Sequence, residues 1–201
     1  MTPGIFCWST SMRNRGGRAW HRFIMAGLAI SLILLSSPTI VAQQPSPSLE
    51  ETVNWLTNAY NPPSVTSEWF PDGCNSCGQR IVSKLAITGC SATMTDTWWV
   101  RHPDGVVDNY VLATEITLGQ LDPSRAFVRT NGARFRYWMD LATTGGQKFI
   151  KTTTTWPDRP SAVTSLSEGI LSLPRDDDKS QRAGKAWIYA IELCGGKPSA
   201  F

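Results

Sequence analysis

From Gln79 to Leu173 the chain is a succession of β-rich segments separated by short turn signals, and this stretch is bracketed by two capped amphipathic helices. That order limits the folds available. Strands joined by tight turns pair antiparallel, because a parallel pairing needs a long crossover. The segments are Arg80–Gly89, Ser91–His102, Val106–Leu118, Arg125–Thr130, Ala133–Asp140 and Lys148–Trp156. Each is rich in β-branched and aromatic residues, which suit a pleated surface. Pro103-Asp104-Gly105, Asn131-Gly132 and Thr143–Gly146 mark turns between them. Asn131-Gly132 predicts a tight two-residue hairpin with positive φ at both positions. Ala162–Leu173 reads as one further strand or an irregular edge, for six or seven strands in all.

The flanking helices carry their own start and stop signals. Ser48-Leu49-Glu50-Glu51 has the spacing of a capping box, and Leu49, Val53, Leu56 and Tyr60 recur at helical spacing. Asn61-Pro62-Pro63 stops that helix, and residues 61–79 read as a long loop. At the other end, Asp176-Asp177-Asp178 caps and charges the start of a helix whose apolar face is Ala183, Trp187, Ala190, Ile191 and Cys194. Calcium is the other reading of the three aspartates, but they lack the alternating ligands and central glycine of an EF-hand loop. Gly195-Gly196 ends the helix. The expected fold is α+β: an antiparallel sheet or partial barrel with an N-terminal helix and a C-terminal capping helix.

Before this domain stands a leader. Arg13, Arg15, Arg18, His21 and Arg22 precede the apolar run Phe23–Leu35, then Ser36-Ser37-Pro38 and a small-residue exit at Val41-Ala42. This is the order of a secretory signal peptide, and the run is shorter than the roughly 20 residues of a membrane span. The expected organisation is a signal peptide over 1–42, a spacer over 43–47 and one domain over 48–201, exported to the periplasm or beyond. An uncleaved signal would make the chain membrane-anchored instead. Met12 is an alternative start. Four of the 19 basic residues and none of the 16 acidic ones lie in 1–42, so the remainder holds one more acid than base. That balance gives no footprint for nucleic acid, which requires a clustered positive surface.

Four cysteines follow the leader: Cys74, Cys77, Cys90 and Cys194. An even number in an exported chain points to two disulfides, and four cysteines allow three pairings. Cys74-Asn75-Ser76-Cys77 also has the spacing of a thiol oxidoreductase or half of a zinc site, but it sits in a Pro/Gly loop with no βαβ pattern and no second C-x-x-C. These two cysteines close on each other, or one pairs with Cys90 or Cys194. Cys194, on the apolar face of the last helix, is placed to meet Cys90 at the end of a strand, and that pairing would clip helix to sheet.

The other candidates are few. His102, beside Asp104, is the one histidine after the leader, and a hydrolase would also need a marked nucleophile and an oxyanion hole. Asp96, Asp108 and Glu115 are scattered carboxylates with no pairing visible from spacing. Trp98 and Trp99 are adjacent on a strand and so point to opposite faces. One of them is a candidate for stacking on a sugar or anchoring a partner, unless a helix or loop covers it.

The opening Ser48-Leu49-Glu50-Glu51-Thr52-Val53-Asn54-Trp55-Leu56, the middle Leu118–Pro123 and the ending Ala186–Lys197 resemble small exported bacterial proteins of unassigned function. The element order also resembles the pleckstrin-homology-like plan. Neither resemblance brings catalytic residues, a metal or a cofactor with it. The expectation is a non-catalytic binding or structural module of the cell envelope, whose partner is a protein or a glycan. The alternative is an enzyme, either a thiol–disulfide oxidoreductase through Cys74 and Cys77 or a hydrolase using His102.

Overall fold

The capping box forms as the sequence requires. The Ser48 backbone N–H donates to Glu51 Oε2 at 2.7 Å and the Glu51 N–H donates to Ser48 Oγ at 3.2 Å. This starts helix α1, Leu49–Ala59, which buries Thr52 and Leu56, and Tyr60 at its C-cap is buried as well. The computed structural model describes residues 46–71, 77–131 and 136–199, all within the unit Gln44–Phe201. The leader and Cys74 lie outside the described residues. Among the described residues, no helix is long and apolar enough to cross a membrane.

Among the described residues, nine strands follow α1: β1 Ser64–Trp69, β2 Gly78–Thr88, β3 Ser91–Arg101, β4 Val107–Thr117, β5 Phe127–Asn131, β6 Arg136–Ala142, β7 Ile150–Thr155, β8 Ala162–Leu166 and β9 Glu168–Ser172. They form a six-stranded sheet in the order β1-β2-β3-β4-β7-β8 and a three-stranded sheet in the order β5-β6-β9. Every strand pairing is antiparallel. Helix α2, Asp177–Leu193, closes the chain. The fold is α+β.

The two sheets are successive halves of one bent ribbon. β4 pairs with β7, the bridge Leu121–Thr143 follows, and β5 then pairs with β6. The chain from β8 into β9 runs along the same path, pairing first with β7 and then with β6. Asp122 fixes the bend from within. It is buried, and it accepts from the Ser124 N–H at 2.9 Å, the Ser124 hydroxyl at 2.6 Å and the Ser199 N–H at 2.8 Å. Burial pushes its carboxyl up, but those donors outweigh burial and hold its pKa at about 2.

Three expectations need correction. The segment 61–79 is not all loop, because Ser64–Trp69 is β1; its partner β2 supplies the ladder that local composition does not announce. Ala162–Leu173 is two strands, divided at Ser167 where the chain changes sheets. Asn131 is not a turn residue. It is the last residue of β5 and pairs with Arg136, whereas a two-residue turn at Asn131-Gly132 would set Thr130 opposite Ala133. The connection therefore spans residues 132–135, which lie outside the described ones.

Helix α2 starts where expected: Asp176 accepts from the Lys179 N–H at 2.8 Å. Its buried face, Ala183, Gly184, Trp187, Ala190 and Ile191, packs against β5, β6 and α1. Cys194 at its end is disulfide-bonded to Cys90 in the β2–β3 turn, with Cα atoms 5.7 Å apart. The clip between the last helix and the sheet is thus present, and it rules out a zinc site using all four cysteines.

Candidate functional site

The three-stranded sheet has two unlike faces. Met139, Leu141 and Leu171 point toward α2 and are buried in the main core. By alternation along the same strands, Trp138, Asp140, Ile170 and Ser172 point the other way, toward the six-stranded sheet. The space between the sheets is closed at one end and open at the other.

At the closed end a buried carboxylate ties the sheets together. Asp96 on β3 accepts from Ser83 Oγ of β2 at 2.5 Å and from Ser172 Oγ of β9 at 2.8 Å. Thr66 and Ser83 share a hydrogen bond of 2.9 Å, and the Tyr60 hydroxyl donates to the Ser172 carbonyl at 2.8 Å. Burial pushes the Asp96 carboxyl up from its ordinary value, while the two serine donors and the nearby Arg136 charge pull it back in part. Next to this cluster Trp98 stacks on Tyr110 with centroids 5.4 Å apart. The Arg136 guanidinium lies 5.1 Å from the Trp98 ring centroid and 5.6 Å from that of Trp138, so it bridges the indoles of the two sheets.

At the other end the sheets part and leave a cleft of about 550 Å³. One wall is Leu112, Thr114, Thr152 and Leu166 from the six-stranded sheet. The other is built on Phe127, Arg129, Asp140, Ala142 and Ile170 from the three-stranded sheet. Phe127 is 44% exposed and Ile170 49% exposed. The charged groups here neutralise one another. Arg129 pairs with Asp140 and lies over the Phe127 ring, 4.9 Å from its centroid, and Arg125 pairs with Glu168 at 2.5 Å. The result is an apolar floor with two threonine hydroxyls and a rim of closed ion pairs. A cleft of this size and lining suits a small, uncharged ligand with apolar surface.

The sequence-derived candidates are dispersed. Trp98 faces inward at the closed end of the inter-sheet space. Trp99 is on the outer face of the six-stranded sheet, with the Arg80 guanidinium 5.9 Å from its centroid. His102 pairs with Asp108 at 2.9 Å, not with Asp104, whose carboxylate accepts from the Val106 N–H. Both groups of that pair are exposed at the β3–β4 turn, and neither lines the cleft. Cys77 is disulfide-bonded, and Cys90 and Cys194 are bonded to each other. Asp176 caps α2, with Asp177 and Asp178 in its first turn.

The cleft residues themselves escaped the sequence reading. A signal for them does exist. Phe127-Val128 and Ile170-Leu171 are adjacent apolar pairs on strands, so one member of each must leave the core, by the same alternation that separates Trp98 from Trp99. Compared with known proteins, the chain matches no family model, no curated protein and no solved structure.

Proposed function

We propose that this chain works outside the cytoplasm as a non-catalytic binding module of the cell envelope, and that the inter-sheet cleft is its ligand seat. The observation that carries this reading is the half-exposed pair Phe127 and Ile170, held inside a cleft rather than scattered on the surface. Exposed apolar residues are ordinary singly, but gathered in a concavity they mark a place that a ligand fills. Export is supported by the basic-then-apolar leader and by the Cys90–Cys194 disulfide, a bond that persists in oxidising compartments.

The test uses protein recovered from the cell envelope and N-phenyl-1-naphthylamine as an uncharged, apolar fluorescent probe. Phe127→Ala with Ile170→Ser removes apolar cleft surface and should weaken probe binding about tenfold or more, which corresponds to roughly 1.4 kcal/mol. The melting temperature should fall by only a few degrees, because both side chains are already half exposed. Probe affinity that survives the double substitution would mean that the ligand seat is elsewhere.

A further inference from the structure

The outer edge of a sheet is a selective surface, because its outward N–H and C=O groups, otherwise left to water, are paired in register by another extended backbone. The two edges of the six-stranded sheet are finished differently. At β1 the register slips between Val65 and Ser67, and Glu68 reaches Arg175 at 3.2 Å and Arg80 at 3.9 Å. A bulge and charges are the usual guards of an edge. At β8 no such guard is present among the described residues. Ala162-Val163-Thr164-Ser165-Leu166 contains no charge and no proline, and it pairs with β7 residue for residue without a slip. Its first four residues are exposed, Val163 at 61%.

Charge returns at the two ends of this strand, with opposite sign. Arg159 stands in the β7–β8 turn, its guanidinium 4.2 Å from the Trp156 ring centroid. Glu168 opens β9; it pairs with Arg125 through one carboxylate oxygen, but its side chain is 66% exposed, so the carboxylate is open to a second cation. A parallel neighbour of the same sequence would set like charges together at each end. An antiparallel copy sets the cationic end of one strand against the anionic end of the other.

We propose that β8 joins a second copy of this chain, antiparallel about a two-fold axis at Thr164, so that one six-stranded sheet continues into the next. In this register Thr164 faces Thr164 of the second copy, Val163 faces Ser165, and Ala162 faces Leu166. Glu168 falls opposite Pro160, next to Arg159, while Asp158 lies beyond the paired residues. The arrangement is isologous, so it closes on itself as a dimer. A five-residue ladder buries less than the roughly 800 Å² per partner of a stable interface, so the association is reversible and depends on concentration.

Sedimentation velocity of the protein recovered from the envelope, over a rising concentration series, should show a monomer–dimer equilibrium. Thr164→Lys places two ammonium groups opposite each other at the axis and should raise the dissociation constant at least tenfold. At a dilution where the wild type is monomeric the melting temperature should not move, because Thr164 is exposed. Mild oxidation of Thr164→Cys should give a covalent dimer, and Val163→Cys, which faces Ser165, should not link to itself. A chain that stays monomeric at all concentrations, a dimer that Thr164→Lys leaves intact, or cross-linking at Val163→Cys as readily as at Thr164→Cys would each overturn the proposal. A dimer lost in Thr164→Lys and linked through Thr164→Cys would support it. Neither readout depends on whether the cleft binds a ligand.

Discussion

Leu171 and Ile170 are neighbours on β9, alike in size and chemistry, yet one is 1% exposed and the other 49%. The difference belongs to the two faces of the small sheet. The Leu171 face is covered by α2, whose Gly184 lets the helix come close to Val128. The Ile170 face meets the six-stranded sheet only at the Asp96 end and stands away from it near the bend. One sheet thus has a face packed for stability and a face kept open although it carries apolar residues. Binding surfaces have this second character, and the comparison can be broken or sharpened by experiment.

The largest effect should come from unclipping the helix that covers the packed face. The Cys90–Cys194 bridge closes a loop of 104 residues. On the chain-entropy account, Cys90→Ser with Cys194→Ser costs about 4–5 kcal/mol, read from the denaturation midpoint. An unchanged midpoint would mean that α2 holds by packing alone.

Next in size is the paired truncation on β9. Leu171→Ala leaves a cavity in the core and should cost about 2–5 kcal/mol. Ile170→Ala removes a half-exposed side chain and should cost under about 1 kcal/mol. Equal losses in chemical denaturation would erase the distinction between the faces.

Gly184→Ala is a finer probe of the packed face. A mid-helix alanine is intrinsically better than glycine by about 1 kcal/mol. Here its Cβ would meet Val128 Cγ2 well inside contact distance, so overpacking outweighs propensity. The net change should be a loss of about 1 kcal/mol or more in thermal unfolding, and a gain would mean that α2 rides higher over β5.

The smallest effect concerns how the closed end responds to pH. Asp96 has a folded pKa raised above its unfolded value, mainly by burial. Its contribution is most favourable below an unfolded pKa near 3.8 and is lost as pH rises through the raised folded value. Asp122 behaves oppositely. Its folded pKa is held at about 2, so its contribution is present above the unfolded value and is lost as pH falls toward 2. Asp96→Asn should flatten the decline on the alkaline side of pH 4 and leave the acid limb in place. A stability profile unchanged by Asp96→Asn would show that the carboxyl titrates alike in both states.

Much of this frame was legible from residues alone, for local reasons. The Ser48–Glu51 box, the Asp176 cap and the Pro103-Asp104-Gly105 turn each act within a few residues, and alternation along β2, β3 and β4 is a property of single strands. The Cys90–Cys194 clip followed from the helix face that carries Cys194. What stayed hidden depends on partners distant in sequence. β1 is a strand because β2 is beside it, and Asn131 is in the ladder because the register runs on to Arg136. The cleft is further removed still. That Ile170 and not Leu171 is the outward member of its pair follows from which side α2 occupies, and no local pattern on β9 states that.

The most direct test of the open face is an amide chemical-shift titration of the protein with octyl glucoside below its micelle concentration. Its alkyl chain matches the apolar floor, and its uncharged head leaves the ion pairs at the rim undisturbed. We expect saturable shifts concentrated at Leu112, Phe127, Thr152 and Ile170, with Met139 and Val128 on the packed face still. Shifts spread evenly over the surface, or confined to residues outside the cleft, would contradict the account.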